Sequence, residues 1–141
     1  MATNLDAQDL GTLIGRILMS ALFIWSGYEK LMSATATQAY FTSLGVPFPT
    51  LAWLIAVIIE LGVGLALLVG FQTRVAALVL GIWCIITAVA GHSNFADPEM
   101  QINFMKNAAM AGGFAYIALF GAGAYSLDRI ASPHRATPAR S

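Results

Sequence analysis

The amino-acid sequence predicts an all-α membrane protein built as a four-transmembrane-helix bundle. Three observations predict it: a composition too apolar for water, four long stretches almost without charge, and prolines confined to the gaps between them. Of the 141 residues, 58% are hydrophobic and 10% charged, where soluble domains have about 45–50% and 25%. A globule this small keeps much of its surface in water, so so little charge would leave large apolar patches exposed. The mean hydropathy of +0.74 likewise makes lipid the main solvent.

The four stretches lie at about 10–31, 50–71, 75–91 and 107–127. The first is interrupted by Arg16 and closed by Glu29 and Lys30, the second holds one charge, Glu60, and the last two hold none. A helix rising about 1.5 Å per residue needs about 20 apolar residues to cross the hydrocarbon core, so each qualifies, the third at the short limit. Pro47, Pro49, Pro98, Pro133 and Pro138 all fall outside, as unbroken helices require. Residues 1–9 carry two acids and no base, unlike a signal peptide, and read as a cytoplasmic N-terminal segment ahead of a retained helix. Small residues four apart predict close helix packing: Gly11 and Gly15, Gly62, Ala66 and Gly70, Ala77 and Gly81, Ala109 and Gly113.

Four spans place both termini on one side, with the turn around Arg74. That side collects Arg16, Arg74, Arg129, Arg135 and Arg140, against Lys30 and Lys106 on the other, which predicts both termini in the cytoplasm. Residues 129–141 read as a disordered cytoplasmic tail. In the first outer loop, Ala36, Tyr40 and Leu44 recur at helical spacing beside Phe41 and predict a short interfacial helix. Trp25, Tyr28, Phe48 and Trp53 form an aromatic belt near the same boundary.

The stretches Gly15-Arg16, Ser26-Gly27-Tyr28-Glu29-Lys30-Leu31, Gly45-Val46-Pro47, Glu60-Leu61-Gly62-Val63-Gly64-Leu65, Gly70-Phe71-Gln72-Thr73-Arg74 and Lys106-Asn107 resemble the DoxX family of small bacterial membrane proteins, over roughly residues 11–128. The resemblance implies a multi-pass, four-helix protein of the bacterial inner membrane. It also implies loose ties to thiosulfate or quinone oxidoreduction, thiol stress and catechol resistance. The expected role is therefore an accessory or membrane subunit of a redox or detoxification system, with a soluble redox partner or a second copy of the chain as candidate partners. A transporter or channel component acting as an oligomer, and a purely structural membrane protein, are the alternatives.

Two groups of residues are candidate sites. Arg16 and Glu60 lie within the apolar spans, where an unpaired charge is expensive, so they are expected to meet as an intramembrane ion pair that either fixes helix register or takes part in binding or proton movement. Trp25, Tyr28, Lys30, Lys106 and Asn107 gather near the outer boundary, where flat apolar walls and polar donors suit a quinone-like or phenolic head group. The bland alternative makes them interfacial anchors, with Asn107 as a helix cap.

Other chemistry is disfavoured. Seven basic and seven acidic side chains leave no net charge to attract nucleic acid. The lone Cys84 provides no disulfide or cysteine cage. His92 and His134 are expected on opposite faces, too far apart to share a haem, and His92 with Asp97 and Glu99 lacks tight ligand spacing. The sequence therefore predicts no metal site and no intrinsic cofactor, with quinone as the candidate ligand. It also leaves a stand-alone enzyme disfavoured.

Overall fold

Asp6 starts the first helix by accepting the Gln8 N–H at 3.2 Å, an acidic cap on the positive end of the helix dipole. Helix α1 then runs Ala7–Met32. The structure, a computed structural model, describes residues 6–132. The short helix expected in the first loop forms as α2, Ala34–Ser43. Pro49 opens α3, Pro49–Val69, at a position where its missing N–H costs nothing. In its middle, Ile58–Val63, α3 widens into a π-helical turn centred on Glu60. Helix α4 spans Thr73–Gly91, α5 spans Pro98–Phe120, and a short α6 covers Leu127–Ala131.

Helices α1, α3 and α4 are long and apolar enough to cross a membrane. The helix expected as a fourth span differs from its sequence reading. Asp97 caps α5 through the Glu99 N–H at 2.9 Å and Pro98 takes the first turn, so the helix begins nine residues earlier than 107. Glu99 and Lys106 sit inside it without ending it. Gly121 and Gly123, at φ 84° and 74°, end it before 127 and fold the chain back. Asn107 is thus mid-helix and caps nothing. Residues 129–131 are helical rather than part of a disordered tail; 133–141, with His134, Arg135 and Arg140, lie outside the described residues.

The core is a buried cluster of Phe23, Leu67, Ala76, Ala77, Leu80, Cys84 and Phe114, with the Phe23 and Phe114 rings edge-to-face at 5.3 Å. Cys84 is a packing residue there. Leu18, Ile58, Ile82 and Leu119 point outward, as in a protein whose surroundings are acyl chains. The small-residue rule holds only in part. Nothing lies within 4 Å of where a side chain on Gly11, Gly15 or Gly62 would start, whereas Gly27, Gly64 and Gly113 pack closely against neighbouring helices.

One end of the bundle gathers the start of α1, the turn at 70–72 and residues 121–132. Asp9 accepts the Ala124 N–H at 2.9 Å. Asp128 accepts the N–H groups of Gln72 and Thr73 at 2.7 and 2.8 Å, capping α4 from outside its own chain segment. Burial raises the Asp128 pKa, but the donated N–H bonds from Thr73 and Gln72, helped by the Arg16 charge, outweigh it and hold the carboxyl below its ordinary value.

A depressed folded-state pKa gives stability that is present above the unfolded carboxylate value and lost as pH falls through the folded one. Asp128→Ala is therefore expected to lower the unfolding free energy by about 1 kcal/mol at neutral pH, with the gap to wild type closing in acid. Thermal unfolding in detergent across pH measures both.

Candidate functional site

Gly27 of α1 lies directly against the π-helical turn of α3: a Cβ there would sit 2.5 Å from the Leu61 nitrogen. That contact brings the two backbones together at the level of Glu60. The widened turn carries Glu60 into the bundle, where it is 4% exposed. Helical turns of this kind are rare and concentrate at functional sites.

Lys30 stands one turn beyond Gly27, and helical side chains tilt back toward the N-terminus. Its ammonium therefore comes down onto Glu60 and meets Oε2 at 2.7 Å. It also donates to the Ser26 hydroxyl, four residues earlier, at 2.6 Å. The Trp83 indole N–H of α4 donates to the other Glu60 oxygen at 3.0 Å. The Trp53 N–H bonds the Lys30 carbonyl at 2.7 Å and fixes the end of α1 against α3. Both carboxylate oxygens are thus satisfied, which a charge taken out of water requires.

The expected Arg16–Glu60 pair does not form. Arg16 is fully buried, but its guanidinium donates to the carbonyls of Leu68 at 3.2 Å, Leu67 at 3.4 Å and Tyr125. Leu67 and Leu68 lie seven and eight residues beyond Glu60, about 10 Å or more along the helix. The same N-terminal tilt that brings Lys30 to Glu60 carries Arg16 away from it, and carbonyls in the last turn of α3 receive it instead, that of Leu67 alongside the Gly70 N–H.

Above the Lys30–Glu60 pair lies a cavity of about 720 Å³, within the range of small-molecule sites. Leu22, Phe23, Ile55, Ile86 and Met110 supply apolar wall, and Tyr40 and Phe41 of α2 cover one side. Ser26, Lys30, Glu60, Trp83, Thr87 and Asn107 supply polar groups, with His92, Asn103 and Lys106 nearer the end of the bundle. Thr87 Oγ1 lies 3.3 Å from Asn107 Oδ1, and Asn107 Nδ2 donates to the Asn103 carbonyl at 3.0 Å.

Of the outer-boundary candidates, Lys30, Lys106 and Asn107 therefore line one cavity, and Glu60 joins them there. Trp25 and Tyr28, 64% and 50% exposed, lie on the outside of α1 and are not lining residues. Ser26 and Trp83 were not among the sequence-derived site residues. Their signals are the Ser26–Lys30 spacing of one helical turn and an indole N–H in an otherwise charge-free span, which needs an acceptor. Among the described residues no group of three or more His, Cys, Asp and Glu converges as for a metal.

A helical membrane protein with a part-buried ion pair under an interhelical cavity is the class these features define. The chain belongs to the DoxX family, whose model matches residues 11–93 and so takes in Ser26, Gly27, Lys30, Glu60 and Trp83. It is similar to the inner membrane protein YqjF of Escherichia coli (strain K12), 43% identical over 87% of this chain and 93% of the relative. It is also similar to the inner membrane protein YphA of the same organism, 41% identical over 87% of this chain and 91% of that relative. No solved structure gives a significant match. The chain is an integral inner-membrane protein of this family.

The close approach at Gly27 makes a specific prediction. Gly27→Ala forces α1 and α3 apart at the ion pair and is expected to cost about 1–3 kcal/mol, while Gly15→Ala, with open space around it, is neutral or slightly stabilising. Melting temperatures of the two variants in one detergent make the comparison.

Proposed function

We propose that this protein is the membrane subunit or accessory of a redox or detoxification system, and that its cavity holds a quinone-like or phenolic head group drawn from the bilayer. One observation carries the reading: flat aromatic and aliphatic walls stand over a floor of ammonium, hydroxyl and amide groups. Carbonyl and hydroxyl oxygens on a ring need such donors, and the ring itself needs such walls. Beneath the floor the core of Leu67, Leu80, Cys84 and Phe114 is fully buried, which favours a binding site over a path through a single copy.

In the same reading α5 is the fourth membrane span. Its 23 residues rise about 35 Å, and its polar residues Asn103, Lys106 and Asn107 turn to the cavity. The end carrying Arg16, Arg74 and Arg129 faces the cytoplasm with both ends of the described chain, while the cavity lies toward the opposite, outer face. Candidate partners are a soluble redox protein or a second copy, with the bilayer as the surrounding solvent. The protein supplies binding and orientation, and electron transfer belongs to the partner.

Binding of a short-chain ubiquinone and of methylcatechol to the purified protein tests this. Saturable binding of at least one, weakened about tenfold or more in Lys30→Met by loss of a charge-assisted hydrogen bond, is expected. Neither compound binding, or unchanged affinity in the variant, contradicts it.

A further inference from the structure

The polar groups of the cavity are unevenly matched, and the mismatch points to the charge of what it takes. Both Glu60 oxygens are occupied, one by Lys30 and one by Trp83. The Lys30 ammonium has three hydrogens and spends two, on Ser26 and Glu60. Asn107 spends one amide hydrogen on the Asn103 carbonyl and keeps the other. Among the described residues, Lys106 makes no ion pair, since the one salt bridge is Lys30–Glu60. The titratable groups facing the cavity are Lys30 from α1, Tyr40 from α2, Glu60 from α3, His92 after α4 and Lys106 from α5. Two ammonium groups against one carboxylate leave a cationic excess, and the spare hydrogen-bonding capacity is on the donor side.

Resting on the reading of this cavity as a head-group site, we infer that its ligand is an amphipathic monoanion, a ring compound bearing an ionised hydroxyl, rather than a neutral quinone. The anionic oxygen takes the spare hydrogens of Lys30 and Asn107 with Lys106 neutralising its charge, and the ring lies against Phe23, Ile86 and Met110. A neutral ring carbonyl accepts the same bonds more weakly and leaves the Lys106 charge unbalanced. The pair Lys30–Glu60 stays intact, so the preference comes from Lys106 and the unspent donors.

Lawsone and menadione are naphthoquinones that differ in a hydroxyl against a methyl, and the first is ionised at neutral pH. Calorimetric titration of the full chain in neutral-detergent micelles, with empty micelles as the blank, compares them. Lawsone is expected to bind about tenfold or more tighter, as a charge-assisted bond implies. Lys106→Met, at an exposed position away from the core, is expected to remove most of that preference by weakening lawsone binding. Equal affinities, or a preference that survives in Lys106→Met, overturn the inference while leaving the head-group reading standing. Binding of neither compound overturns both.

Discussion

A carboxylate in the middle of an apolar helix has to be answered, and the way Glu60 is answered organises half of this molecule. Its partners come from two other helices: Lys30 and, through it, Ser26 on α1, and Trp83 on α4. Bringing Lys30 within reach needs α1 and α3 in contact, which Gly27 permits by having no side chain at the crossing. It also needs Glu60 to point inward, which the π-helical turn achieves by adding a residue to the local repeat. The ion pair, the glycine contact and the irregular turn are one device. Such a pair is weak support for net stability, because the cost of desolvating both charges offsets their attraction. Its clearer consequence is a polar floor where a bundle of this kind is ordinarily filled with side chains.

The other buried charge is handled differently. Among the described residues Arg16 forms no salt bridge; it closes the end of α3 by donating to backbone carbonyls and reaches the returning chain at Tyr125. Asp9 and Asp128 answer backbone N–H groups at the same end. That end is held by charged side chains bonded to main chain, while the opposite end is held by side chains bonded to each other around a space. The division separates a closed structural end from an open end with unspent donors.

Much of the architecture is legible in the residues. The positions of the charges and prolines mark α1, α3 and α4, and the spacing of Ala36, Tyr40 and Leu44 marks α2. The start of α5 is hidden because a helix tolerates Glu99 in its exposed first turn and Lys106 at the rim of a cavity, so absence of charge is a poor marker of where it begins. The partners of the charged residues are harder to read. Axial depth alone puts Arg16 within reach of Glu60, but depth omits the direction in which helical side chains lean, and that direction reverses the pairing. Lys30 and Asn107, which share a cavity, are recognisable as candidates from their chemistry and from the family motifs, whereas Trp25 and Tyr28 share that chemistry and face outward. Which face of α1 turns inward depends on the Gly27 contact, a tertiary feature with no local signature stronger than a glycine among others.

The most direct test is a double-mutant cycle on Lys30 and Glu60, read as unfolding free energy in one detergent for wild type, Lys30→Met, Glu60→Leu and the double variant. Lys30→Met strands the buried Glu60 and is expected to cost about 3–5 kcal/mol, Glu60→Leu leaves the partly exposed Lys30 unpaired and costs less, and the double variant costs no more than Lys30→Met alone, giving a coupling of about 1 kcal/mol or more. Strictly additive losses contradict the account, because they mean the two side chains do not meet.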